Sequence, residues 1–212
     1  MDQFAIKNGV LHAEDLPLTA IADAVGTPVY VYSRALLEGN ARAFRDALAI
    51  LPRVHIAFAI KANPNLAVLR VMQREGFGAD VVSGGEMARA LAAGMPAGDI
   101  VFSGVGKQHR EMITGLEAGI GQFNLESEEE GIELAALAAE RGLTAHCALR
   151  VNPDVDARTH AKISTGKSEN KFGVPISDAP AIYGRLAAQP GLHLRGVALH
   201  IGSQLLTLDP LE

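Results

Sequence analysis

A single lysine closes the apolar run His55-Ile56-Ala57-Phe58-Ala59-Ile60, and Asn63-Pro64 halts the chain just beyond it. Read as the end of a buried strand, Lys61 stands where parallel α/β folds carry their chemistry. Burial disfavours an ammonium, and a neutral amine attacks a carbonyl carbon to form a Schiff base, so the position points to carbonyl chemistry. The plain alternative is a strand-end lysine whose stem lies on apolar surface while its head reaches water.

Other polar groups interrupt or end apolar runs in the same way. Asp80 sits inside the short run 79–82, where an unpaired charge is costly, and its expected partner is Lys61 or a cofactor group. Arg150 shares one strand face with His146, Ala148 and Asn152 by the period of two. Pointing inward it is a cation at the mouth of the fold; pointing outward it meets a helix, and the sequence leaves both open. His200 ends another apolar run, followed by Gly202, which permits close backbone approach, and by the hydroxyl of Ser203.

Two further patterns have structural explanations. Ser83-Gly84-Gly85-Glu86 and Ser127-Glu128-Glu129-Glu130 have the spacing of a capping box, in which the serine caps a helix and the glutamate reaches back to the serine amide. His146 and Cys147 are too isolated to form a metal site, and no metal is expected. The polar stretch 152–175 is too long for a plain connection and is a candidate active-site loop. A solvated loop is its alternative, since nothing in the sequence names a partner for Lys162, Lys167 or Lys171.

These residues need elements to place them. Short apolar runs at 54–60, 79–82, 100–102, 121–125, 144–151 and 194–201 alternate with amphipathic stretches at 66–75, 85–93, 108–118, 128–141 and 179–188. The alternation predicts repeated βα units and a parallel sheet with right-handed crossovers. A doubly wound sheet and a (β/α)8 barrel both fit; the lone strand-end lysine, without a glycine-rich nucleotide fingerprint, favours the barrel. A closed barrel needs eight strands and about 250 residues, so this chain is expected to hold only about the first six, leaving two sheet edges open. Ahead of the barrel, residues 4–11 read as a strand with a turn at Asn8-Gly9, residues 26–33 as an alternating strand, and residues 34–49 as a helix. The expected division is an amino-terminal strand segment, 1–33, and an incomplete barrel, 34–212.

Composition narrows the class of partner. The 212 residues are 48% hydrophobic, enough for a sizeable core, and a net charge of −5 without a basic run argues against nucleic acid or an anionic membrane. Cys147 is the single cysteine, which excludes a disulfide framework. Neither a secretory signal nor an apolar stretch long enough to span a bilayer is seen, so a soluble cytoplasmic protein is expected.

Taken in order, several segments resemble one family. They are Thr27-Pro28-Val29-Tyr30-Val31-Tyr32, Phe58-Ala59-Ile60-Lys61-Ala62-Asn63, Ala79-Asp80-Val81-Val82-Ser83-Gly84-Gly85-Glu86, Val101-Phe102-Ser103-Gly104-Val105-Gly106-Lys107, Arg150-Val151-Asn152-Pro153, Ile163-Ser164-Thr165-Gly166, Asn170-Lys171-Phe172-Gly173 and His200-Ile201-Gly202-Ser203-Gln204. Their order and spacing resemble the diaminopimelate decarboxylases, pyridoxal 5'-phosphate enzymes of the alanine-racemase-like barrel class.

The resemblance implies that Lys61 holds the cofactor covalently, that His200 stacks on its ring and that Ser203 contacts its phosphate. Asp80 and Arg150 match positions that line the cofactor pocket. The implied reaction is loss of carbon dioxide from meso-diaminopimelate to give L-lysine, by a homodimer when full length. The resemblance also implies that the family's second half is missing, with its glycine-rich phosphate loop, the glutamate for the ring nitrogen and the last two barrel strands. An amino-terminal fragment, inactive alone, is therefore expected. The rival readings are an ornithine- or arginine-type decarboxylase, which is not expected to carry the Ile163 and Asn170 motifs, and a non-catalytic cofactor-binding or regulatory homologue.

Overall fold

The computed structural model describes residues 3–155, 172–203 and 205–211. The chain opens with a hairpin, β1 (Phe4–Lys7) and β2 (Val10–Ala13), paired antiparallel with Phe4 opposite Ala13 and Lys7 opposite Val10. Asn8 and Gly9 turn it with φ of 51° and 78°, the left-handed pair that a two-residue hairpin turn requires. The two-residue strand β3 (Leu16–Pro17) adds to β2, and α1 (Leu18–Val25) follows directly. Residues 26–33 do not form the expected strand. Pro28 lacks an amide proton, and no described strand pairs with this segment, so the alternation leaves Tyr30 89% exposed.

Glu14 fastens the hairpin to the next helix, α2 (Arg34–Ala47). Its Oε1 accepts from the Ser33 hydroxyl at 2.7 Å and from the Ala35 amide at 2.9 Å, while Ser33 Oγ caps the helix by accepting from Leu36 N. These bonds, the Ala35 amide first, hold the Glu14 carboxyl below its ordinary pKa.

Beyond α2 the βα alternation runs as expected. The elements are β4 (Ala57–Ala59), α3 (Leu66–Arg74), β5 (Gly78–Val81), α4 (Gly84–Ala92), β6 (Ile100–Phe102), α5 (His109–Ala118), β7 (Gln122–Leu125), α6 (Glu128–Glu140), β8 (Ala145–Asn152), β9 (Val174–Pro175), α7 (Ala179–Ala187) and β10 (Leu192–Ala198). The main sheet runs β10-β8-β7-β6-β5-β4, every pair parallel, with β9 beside the end of β8. Strand order follows chain order without reversal. That is the order of a (β/α) barrel; a doubly wound sheet reverses at a switch point. Six of its strands are present here, and β4 and β10 are the open edges among the described residues.

The strands have two unlike faces. Val81, Phe102, Phe123, Leu125, Cys147 and Leu149 are buried against the helices, with Met87 from α4, Met112 from α5 and Leu134 from α6. Phe102 and Phe123 stack at 6.2 Å between ring centroids. Each such side chain stabilises the fold by roughly 1.5–3 kcal/mol through its burial. Cys147 belongs to this packing, and burial pushes its thiol up to about 12. The opposite face carries Asp80, Gln122, Asn124, His146 and Arg150 in place of apolar groups. No helix among the described residues is long and apolar enough to cross a membrane.

Candidate functional site

In a parallel sheet all strands end at the same side, so residues that are distant in sequence converge there. Lys61 lies in a single 3-10 turn, Ile60–Ala62, directly after β4. The strand is shorter than the apolar run suggested and half-buried, because it is an edge; Lys61 is exposed rather than buried. Among the described residues no hydrogen bond reaches its ammonium.

Asp80 projects from β5 on the face turned from the helices, and its partner there is Ser103, not Lys61. Ser103 Oγ donates to Asp80 Oδ1 at 2.6 Å, Asn124 Nδ2 donates to Ser103 Oγ at 3.0 Å, and Gln122 Nε2 donates to Asn124 Oδ1 at 2.8 Å. β7 and the residue just after β6 thus contribute one chain of donors that ends on the Asp80 carboxylate of β5, a charge-assisted bond that fixes its orientation.

Arg150 resolves toward the inside. It is buried near the end of β8, where Nη1 donates to Glu126 Oε1 at 2.7 Å and the guanidinium lies 4.7 Å from the Phe172 ring centroid. His200 follows β10 and is exposed at its rim. Partial burial first, then the cations Arg150 and Lys61, hold its pKa below the ordinary value, while Asp80 and Glu126 oppose them. Lys61, Asp80, Arg150 and His200 therefore share one electrostatic neighbourhood at the carboxyl ends of β4, β5, β8 and β10. Ser203 stands three residues on, exposed in the bend after Gly202. Gln204 and the segment 156–171, which includes Lys162, Lys167, the Ile163 motif and the first two residues of the other motif, Asn170 and Lys171, lie outside the described residues.

A second cationic group at this rim is differently placed. The Lys107 side chain is only 1% exposed, and its Nζ donates to the carbonyls of Gly104 at 2.8 Å and Asn124 at 2.6 Å and to Glu130 Oε1 at 2.6 Å. Burial raises the Glu130 pKa despite this partner. Both serine caps form, with Glu86 N and Glu130 N donating to Ser83 Oγ and Ser127 Oγ. The glutamates reach one residue further back than expected, to Val82 N and Glu126 N.

His146 forms no part of the site. It opens β8 at the opposite end of the sheet and pairs with His193 across β10, Nδ1 to Nδ1 at 3.2 Å. Among the described residues no three metal-ligating side chains cluster. Sequence reasoning missed Glu126, which is buried behind the site. The available signal was an acid at the end of an apolar run directly before a capping serine; its bond to Arg150 spans 24 residues and is set only by the fold.

The donor set suits an aldehyde-bearing aromatic phosphate. Lys61 offers an accessible amine, His200 a flat ring disfavoured as a cation, Ser203 a hydroxyl, and Arg150 and Asp80 opposite charges with fixed orientations. The family model described as "Pyridoxal-dependent decarboxylase, pyridoxal binding domain" matches residues 36–211.

A diaminopimelate decarboxylase of Pseudomonas fluorescens is 54% identical over 211 residues, 99% of this chain and 50% of that relative, and one of Zymomonas mobilis is 52% identical over the whole chain. The crystal structure of a diaminopimelate decarboxylase from M. jannaschii in complex with L-lysine superposes with a TM-score of 0.88 at 38% identity, over 99% of this chain and 50% of that one. An arginine decarboxylase of Paramecium bursaria Chlorella virus, 21% identical with a TM-score of 0.73 over 91% of this chain and 49% of its own, shares the fold. The chain spans about half the length of the curated relatives it matches.

Proposed function

The chain belongs to the pyridoxal-dependent decarboxylase family, whose pyridoxal binding domain it carries, and on that premise we propose that it serves the decarboxylation of meso-diaminopimelate to L-lysine and carbon dioxide. The observation that carries the reading is the accessible Lys61 beside His200, Asp80 and Arg150 at one rim of the sheet. The substrate is supported by the diaminopimelate decarboxylases that are 52–54% identical over nearly all of the chain.

Each side chain has a distinct task in this reading. Lys61 Nζ anchors pyridoxal phosphate covalently, and the exposed position after β4 lets the cofactor reach it. His200 presents an uncharged ring face for stacking, which its depressed pKa favours at neutral pH. Ser203 supplies a hydroxyl to the phosphate. Asp80, held by the Ser103 donor chain, and Arg150, held by Glu126, set the charge and orientation of what binds between them. When bound, the cofactor supplies an electron sink for the carbon that loses carbon dioxide.

Residues 1–33 form a separate strand segment in this proposal, and 34–212 form the cofactor-binding part of the barrel. The small antiparallel sheet stands outside the parallel one, and the family match begins at residue 36, which supports the division. A cytoplasmic homodimer completes the reading. Carbon dioxide release by the full natural protein tests it, with meso-diaminopimelate, ornithine and arginine offered in parallel. Release from meso-diaminopimelate is expected. Release from ornithine or arginine alone overturns the substrate, and none from any amino acid overturns the activity.

A further inference from the structure

Glu126 follows β7 directly, and its side chain is 4% exposed. Both of its oxygens are engaged by donors from separate segments. Oε1 accepts from Arg150 Nη1 at 2.7 Å and from Gly104 N at 3.2 Å, and Oε2 accepts from Gly173 N at 3.0 Å. Burying an ion pair is costly, and apolar side chains of similar volume commonly hold a fold as well or better. What this carboxylate adds is geometry, because its acceptors fix donors in both position and direction.

The donors it collects surround the site. Gly104 lies beyond β6, Arg150 near the end of β8, and Gly173 at the end of the polar segment between β8 and β9. The fit leaves little latitude. Gly173 has φ of 71°, and a Cβ there would stand 2.8 Å from the Arg150 carbonyl oxygen. Phe172, its neighbour, takes the Arg150 guanidinium at 4.7 Å from its ring centroid.

We propose that Glu126 is a positioning residue, which holds the Arg150 guanidinium in one orientation at the site and ties Gly173, beside Phe172, to the strand ends. Arg150 then presents a fixed cation to an anionic group of the bound cofactor or substrate. The inference rests on the proposed function, in which Arg150 serves the cofactor site.

Two substitutions in the full natural protein separate charge from reach. Glu126→Gln keeps the size but places an amide among three donors, and Glu126→Asp keeps the charge but is one methylene too short to bridge Arg150 and Gly173. Both are expected to weaken pyridoxal phosphate binding, followed by absorbance titration, by about tenfold or more, the loss seen at metal sites when the hydrogen-bond partner of a ligand is removed. The His200 ring-proton titration distinguishes the two. His200 is faced by Arg150, Lys61, Asp80 and Glu126. Removing the Glu126 charge leaves the two cations less opposed, so its midpoint falls in Glu126→Gln and stays near that of the unaltered protein in Glu126→Asp.

If Glu126→Gln does not fold, the affinity of Glu126→Asp decides. Cofactor affinity unchanged in the variants that fold, with only a lower Tm, overturns the inference and leaves Glu126 as a fold contact. A different result, the unaltered protein taking no borohydride-fixed label on Lys61, overturns the proposed function itself.

Discussion

Two lysines stand at the rim of the sheet, and their surroundings assign them different tasks. Lys107 is spent on three acceptors inside the protein, whereas Lys61 is exposed and bonded to none among the described residues. Borohydride reduction of the holoprotein followed by peptide mapping is expected to place the pyridoxyl label on Lys61; label on Lys107 or Lys171 overturns the assignment. His200 carries the second prediction. Its pKa is depressed by burial and by Arg150 and Lys61, so the neutral ring is favoured in the folded protein. Such a group adds stability that is fully present above the unfolded value of about 6.5 and is lost as pH falls through the folded value. Its ring-proton midpoint is expected below 6.5. His200→Phe keeps a flat surface and most of the cofactor affinity, while His200→Ala loses more. Equal losses in the two variants assign His200 a polar role.

At the scale of elements, the strands are short and their ends do the positioning. β4, β5 and β6 have three or four residues each, and the chemistry begins within or just beyond them. Register therefore matters, because a slip of one residue turns Asp80 into the helix-facing core. Gly78 guards that register at the start of β5. Its amide donates to Ile56 O at 2.8 Å, and an added Cβ would overlap the Asp99 carbonyl oxygen and crowd His55. The obstructing atom is backbone, which cannot swing aside as a side chain does. Gly78→Ala is expected to lower stability by about 2 kcal/mol, read as a shift in the urea midpoint. No shift would mean that the 3-10 turn at Ala97–Asp99 yields freely.

On the scale of the whole molecule, the parallel sheet presents two edges, β4 and β10. Val197 and Leu199 near the second are 59% and 61% exposed, where a closed barrel would bury one of its faces. Residues 1–212 prepared alone are expected to self-associate and to release no carbon dioxide from meso-diaminopimelate. Sedimentation and a carbon dioxide assay on that preparation check this together. Turnover by a monodisperse monomer would require a complete site within these residues and overturn this expectation.

The alternation of strands and helices was legible in the sequence, since apolar runs of strand length and stretches of helical period each report local burial in one element. The sequence also singled out Lys61, Asp80, Arg150 and His200, because charges at the ends of apolar runs are conspicuous without any fold. It misread residues 26–33, where the alternating pattern was genuine but strand formation needs a partner that the described structure does not place beside it. The folded arrangement was needed to see that Arg150 points inward, that Asp80 is held by Ser103 rather than Lys61, and that Lys61 is exposed just beyond an edge strand. It alone revealed Glu126, whose partners lie 22, 24 and 47 residues away. Such bonds depend on which strands become neighbours and in what register, and that is a property of the assembled sheet rather than of any local stretch of chain.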